Sequence, residues 1–257
     1  MKRFKHSGTL GDIIYGLPIM KYFGGGEFYL HLNQVNWIGQ YYYKTPPQPY
    51  HNGKMDEKDL EFLAPLLLEQ TYVSKVGVLN PKTTEITHNL DNFRPLFVGH
   101  PANYVTTYCM AFDIKNPTVV KELNTVPWLT VRNPKVVENK NYVVNRTSRG
   151  WSPKEKNVQW DQWKSLGIDK QSLFVGLSDE YEEFKRFSGW DIDYYPVNNM
   201  LEMAEIIAGC KQFIGNQSSA LALAQGLGVS YVFERRQDLP IERNESYFPH
   251  HDHGNYF

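Results

Sequence analysis

The sequence predicts an α/β protein built on parallel sheet. From residue 141 to residue 234, short apolar runs alternate with amphipathic runs of helical period, the pattern of strands covered by helices on both faces. Near the start, GTLGDIIYGLP at 8–18 is a glycine-bearing loop that opens into an apolar run of helical spacing. The 257 residues suffice for one large domain or two small ones. A stretch at 126–140 carries proline and charge with little periodicity, which places a linker at about residue 135 and domains at 1–134 and 135–257.

The elements follow in order. After a short basic start, Ile13, Ile14, Leu17, Met20, Tyr22 and Phe23 recur at helical spacing, with Pro18 predicting a kink or a late start. Three glycines at 24–26 end that helix, and EFYLHL at 27–32 reads as a strand. A run rich in Tyr, Pro and Gly, through YYYKTPPQPYHNGK, is a long surface connection. An acid-opened helix at 55–70 and a strand at 72–79 come next, then an irregular region from 89 to 124 with a helix candidate in NYVTTYCMAFDI and a polar tail. The second half is more regular, with strands at 141–147, 172–177, 211–216 and 229–234, a strand or loop at 191–197, and helices between them.

Composition excludes several classes. Charged residues make up 21% and the net charge is −1, so no global charge marks a nucleic-acid partner or a disordered chain. Cys109 and Cys210 have no CxxC spacing, which points to a reducing compartment and to packing thiols. Lys2, Arg3 and Lys5 are followed by glycines and Asp12 instead of an apolar leader, and no run of about 18 apolar residues occurs. The expectation is a cytoplasmic, soluble protein. With 17 Tyr and 6 Trp, aromatics exceed what the core needs, and some are expected to line a cleft.

In parallel sheets ligands gather at the carboxyl ends of strands, which singles out NRTSR at 145–149, GLSDE at 176–180, GNQSS at 215–219 and FERR at 233–236. Arg146 and Arg149, with the hydroxyls of Thr147 and Ser148, suit bidentate phosphate contacts. Ser218 and Ser219 stand at a helix N-terminus, where backbone N–H groups favour an anion or simply receive a cap. Glu180 is placed to accept hydrogen bonds from sugar hydroxyls, although DEYEE also reads as an exposed helix start; Glu234 is a weaker candidate. Together these describe a pocket for a nucleotide or sugar diphosphate. Asp12 is either a helix cap or a general base, and Gly8 and Gly11 allow close backbone approach beside it. Trp151, Trp160 and Trp163 read as core and cleft wall. His250, His251, Asp252 and His253 have a spacing that fits no compact zinc site, so they read as a polar tail.

GDIIYGLP, a strand ending in a Thr-containing loop before a Trp-bearing helix, and LEMAEIIAGCKQFIGNQSSALALAQGLGV occur in that order. In this the chain resembles the bacterial heptosyltransferases, glycosyltransferase family 9, over nearly its whole length. The resemblance implies a GT-B-like α/β fold of two Rossmann-like domains facing across a cleft. The first takes the acceptor and the second the nucleotide-sugar donor. It implies that Asp12 is the catalytic base, and that Arg146, Thr147, Ser148 and Arg149 contact the donor phosphates, with Lys156 a further candidate. It implies that Glu180 holds the ribose. Where the family has Asp-Thr-Gly the chain has Gln217, Ser218 and Ser219, and Ala222 replaces a following His; the anion-binding geometry is retained and the sugar stays open.

The expected activity is metal-independent, inverting transfer of a sugar from a nucleotide diphosphate to an acceptor hydroxyl, without a cofactor beyond the co-substrate. The acceptor is a glycan, a lipid-linked glycan or a hydroxylated DNA base. The basic run from Arg132 to Arg149 allows the last. A non-catalytic nucleotide-sugar-binding protein is the alternative of a different class.

Overall fold

The computed structural model describes residues 1–34, 55–97, 103–147, 158–234 and 254–255. The chain divides into two compact units, the first holding Met1–Thr130 and the second beginning at Val131.

The first unit starts with a strand that the basic N-terminus conceals. In β1 (Arg3–His6) Phe4 and His6 are buried while Arg3 and Lys5 reach partly into solvent, the two-residue alternation of a pleated strand. It pairs in parallel with β2 (Gly26–Leu30) on one side and β4 (His88–Asn89) on the other, and β3 (Val73–Val78) lies outside β2. The order is β3-β2-β1-β4. Helix α1 (Leu10–Tyr22) connects β1 to β2, and α2 (Glu57–Glu69), capped by Asp56, precedes β3. After β4 a 3-10 turn, Leu90–Phe93, runs into the short α3 (Arg94–Phe97), followed by α4 (Tyr104–Ala111) and α5 (Pro117–Thr125). Helix α5 replaces the expected polar tail, and its start signals are present: Asn116 caps it and Pro117 occupies the first turn.

Helix α1 begins at Leu10 and runs on through Pro18, so the late start that Pro18 allowed does not occur. Proline has no N–H to give to the carbonyl four residues earlier, but the indole Nε1–H of Trp128 donates to Ile14 O at 3.0 Å. Trp128 is itself buried, and its carbonyl accepts from the Tyr72 hydroxyl at 2.8 Å. The amide of Gln70 clamps both backbone groups of Thr130. The start of the expected linker is thus packed onto the first unit.

The second unit alternates strand and helix throughout: β5 (Tyr142–Asn145), α6 (Val158–Ser165), β6 (Ser172–Gly176), α7 (Ser178–Ser188), β7 (Asp193–Pro196), α8 (Met200–Ala208), β8 (Gln212–Gly215), α9 (Ser219–Leu227), β9 (Tyr231–Phe233) and β10 (Gly254–Asn255). All pairings are parallel, in the order β7-β6-β5-β8-β9-β10. Val144, Phe174, Ile214 and Val232 from the strands meet Trp160, Trp163, Phe184 and Trp190 in one apolar cluster. Trp160 meets Trp163, Phe184 and Trp190 edge-on at 4.9–5.2 Å between ring centroids. The indoles of Trp160 and Trp190 each donate to an acceptor, at 3.0 and 3.1 Å, so this aromatic packing leaves neither N–H stranded.

Both sheets share one topology. The chain enters at a central strand, steps outward on one side, then returns to the other side of that first strand. The direction reverses between β1 and β4 in the first unit and between β5 and β8 in the second. At such a reversal the loops leaving the carboxyl ends diverge and open a crevice, where open α/β sheets bind ligands.

Candidate functional site

In the first unit the reversal gathers a buried polar cluster from β1, the loop after it, α1, the turn after β4 and α4. Asp12 occupies the first turn of α1. Its Oδ2 accepts from the Thr9 backbone N–H and from Arg94 Nη2, each at 3.3 Å. Its Oδ1 accepts no hydrogen bond among the described residues. One oxygen thus closes the helix start, as the cap reading of this acid expects.

Arg94 joins two carboxylates, reaching Asp91 Oδ1 through Nε at 3.3 Å. Its side chain is 5% exposed. Burial alone would pull the guanidinium down, but Asp12 and Asp91 outweigh it and hold it charged. Asp91 also accepts from Ser7 N at 3.0 Å and pairs with Lys5 at 3.3 Å. Burial opposes ionisation of Asp91, yet His6, Arg94 and the Ser7 N–H keep its carboxyl well below the usual range.

His6 is fully buried, and burial pulls its imidazole down to about 4. The Gly8 backbone N–H donates to His6 Nδ1 at 2.7 Å, so that nitrogen carries no proton. Nε2 must then bear the proton, and it donates to the Tyr108 hydroxyl at 2.6 Å. The hydroxyl in turn donates to the Asp12 backbone carbonyl at 2.8 Å. Gly8 is held tight by this cluster: a Cβ there would stand 2.0 Å from Arg94 Nη2 and 2.7 Å from Asp12 Oδ2. Close approach at Gly8 is thus to the protein's own polar groups. Gly11 lies inside α1, not in the loop.

In the second unit the expected residues fall on four adjacent strand ends. Thr147 follows β5 and Gln217, Ser218 and Ser219 follow β8. The Asn216 amide joins the two loops, accepting from Thr147 N at 3.1 Å and donating to Thr147 O at 2.7 Å. Ser218 caps α9, its hydroxyl accepting from Leu221 N at 3.3 Å, and all three residues are half-buried. Beyond β6, Glu180 Oε2 accepts from Leu177 N at 3.2 Å and is half-buried. Gly176 has φ 147°, and a Cβ there would meet Asn145 Nδ2 at 2.7 Å and Glu180 Oε2 at 2.9 Å, so glycine keeps the ends of β5 and β6 together.

Arg146 departs from the expectation of an open phosphate contact. It is 3% exposed, its Nε donates to Glu234 Oε2 at 2.9 Å, and its guanidinium lies over the Phe187 ring. The strand order explains this, since Arg146 after β5 and Glu234 after β9 flank the end of β8. Glu234 Oε1 also accepts from Trp160 Nε1. Burial raises the Glu234 carboxyl against the pull of Arg146 and the indole. The pair is a buried brace for these strand ends.

Ser148, Arg149, Trp151, Lys156 and the cluster at His250, His251, Asp252 and His253 lie outside the described residues. Among the described residues no group of three or more His, Cys, Asp or Glu side chains gathers as a metal site, and no helix is long and apolar enough to cross a membrane. Burial pushes the free thiols of Cys109 and Cys210 up to about 12.

No protein-family model matches the chain, and no curated protein matches it. Solved structures do. The Escherichia coli ADP-heptose LPS heptosyltransferase II is similar over 100% of this chain and 90% of its own, with a TM-score of 0.55 at 13% identity. A glycosyl transferase family 9 structure from Veillonella parvula is similar over 100% and 85%, at 0.53 and 10%. The iron-containing heptosyltransferase TibC, in complex with ADP-D-beta-D-heptose, is similar over 97% and 61%, at 0.54 and 14%. The fold is therefore the GT-B-like α/β fold of the heptosyltransferase-type glycosyltransferases.

Proposed function

We propose that the protein is an inverting glycosyltransferase that moves a sugar from a nucleotide diphosphate to an acceptor hydroxyl. The observation that carries this reading is the pair of topological reversals, each furnished with the chemistry its half of the reaction needs: a carboxylate with an open oxygen at β1/β4, and a helix N-terminus beside hydroxyls at β5/β8. Asp12 takes the proton of the acceptor hydroxyl as that oxygen bonds to the anomeric carbon. The bond from that carbon to the diphosphate oxygen breaks, and its electron pair leaves on the diphosphate. A single displacement of this kind inverts the anomeric centre. The N-terminus of α9, Ser219 and Thr147 meet the diphosphate charge, and Glu180 accepts from the ribose hydroxyls. In this reading neither a metal nor a further cofactor takes part. ADP-heptose is the first donor to try, because the similar heptosyltransferase II and TibC are described with it.

A thermal-shift screen with ADP, UDP, GDP, CMP and ADP-heptose tests the donor site, since a ligand that binds only the folded state raises Tm. At least one nucleotide is expected to shift the melt by several degrees. A flat result across the whole set would remove the donor site.

A further inference from the structure

We infer that Tyr108 is a positioning residue for Asp12, acting at the end of a one-way hydrogen-bond chain that runs from the Gly8 N–H through His6 and Tyr108 to the Asp12 carbonyl. The inference rests on the base role proposed for Asp12.

Each donor in the chain is fixed by the one before it. Gly8 has only an N–H to offer, which makes His6 Nδ1 the acceptor and Nε2 the donor. The Tyr108 oxygen receives that proton and turns its own O–H to Asp12 O. Burial, with the negative charge of Asp12 adding to it, pushes the Tyr108 phenol well above its ordinary value, so the group stays a donor. Gly8 and Asp12 are the two ends of the loop–helix junction that carries the carboxylate. The chain therefore closes a ring around that junction, and its span is set by two aromatic side chains.

Packing makes the ring stiff. The Tyr108 ring stacks on Phe93 at 4.2 Å between centroids, and Phe93 directly precedes Arg94, which holds the Asp12 carboxylate. Tyr108 also meets Gly16, where a Cβ would stand 3.3 Å from Tyr108 Cζ. Glycine at 16 is what lets α4 press this close to α1. Arg94 fixes the carboxylate and Tyr108 fixes the backbone beneath it, so Oδ1 is held on two supports. A base must sit within hydrogen-bond reach of the proton it removes, and a small displacement has a large kinetic cost.

Tyr108→Phe removes one oxygen and keeps the stacking. The test compares wild type, Tyr108→Phe, Asp12→Asn and the double variant, reading ADP release on hydrolysis of ADP-heptose, with water in place of the acceptor hydroxyl, and hydrogen exchange at the Gly8 amide. Tyr108→Phe is expected to lower kcat about tenfold with the donor KM changed less than about twofold. Gly8 exchange is expected to rise about tenfold, and the double variant to be no slower than Asp12→Asn. An unchanged kcat in Tyr108→Phe, or a loss that multiplies the Asp12→Asn loss, would overturn the positioning role while leaving Asp12 as the base. Wild-type turnover by Asp12→Asn would instead overturn the base reading itself. If wild type releases no ADP, Gly8 exchange still decides: unchanged protection in Tyr108→Phe overturns the chain, and faster exchange supports it.

Discussion

At the scale of single residues, His6 ties the polar cluster of the first unit to pH. Its imidazole falls from an ordinary 6.5 to about 4 on folding, chiefly through burial. Between those values the unfolded chain binds a proton that the folded chain refuses, so stability rises with pH. The contribution is fully present above about 6.5 and is lost as pH falls toward 4, amounting to roughly 3 kcal/mol. Urea midpoints of the first unit between pH 4 and 8 should follow that slope, and His6→Gln should flatten it; a flat wild-type curve would contradict the neutral, buried imidazole. Arg94 gives a second residue-scale expectation. Arg94→Met leaves Asp12 and Asp91 without their shared cation and should cost about 3 kcal/mol of stability, checked by denaturant unfolding. Little of this cluster is legible in the sequence. Asp12 stands out beside its glycines, but His6 lies in a basic stretch, and Asp91, Arg94 and Tyr108 lie in a region without periodicity. Their grouping depends on β4, two residues long, and so short a strand leaves no alternation to read.

At the scale of elements, the strands and helices of the second unit follow the apolar pattern closely because β5, β6, β8 and β9 are buried on both faces. The first unit departs where tertiary contacts override local signals. Pro18 takes a hydrogen-bond donor out of α1, and the helix continues with Trp128 supplying one to Ile14 O. Trp128→Phe strands the Ile14 carbonyl in the core and is expected to cost about 1–3 kcal/mol, measured as a lowered urea midpoint. In the second unit the Asn216 amide serves the loop after β5 as Trp128 serves α1. Asn216→Ala removes the amide that bonds both backbone groups of Thr147 and should weaken ADP binding about tenfold by calorimetry. Unchanged affinity would mean that this junction lies away from the donor. Arg146 shows the opposite limit of sequence reading. Its position at a strand end was evident, but which way its side chain turns was set by Glu234, far along the chain.

At the scale of the whole molecule, one topology occurs twice, and each copy carries polar residues at its own strand reversal. The fold of the second unit is visible in the sequence through the alternation after residue 141. What the sequence hides is the support: the Tyr108 chain under Asp12, the Arg146–Glu234 brace, and the amide clamp at Asn216. Hydrogen exchange with and without ADP should show protection at Thr147, Asn216 and Ser219 and none at Ser7 and Gly8, since the donor phosphates are assigned to the second unit alone. The most direct measurement is ADP release on hydrolysis of ADP-heptose, with water in place of the acceptor hydroxyl, by wild type and Asp12→Asn, with ADP affinity measured alongside. The expected result is a kcat lower by about 10²–10⁴ in Asp12→Asn at unchanged ADP affinity. Equal turnover by the two proteins, or loss of ADP binding on substitution of Asp12, would contradict it.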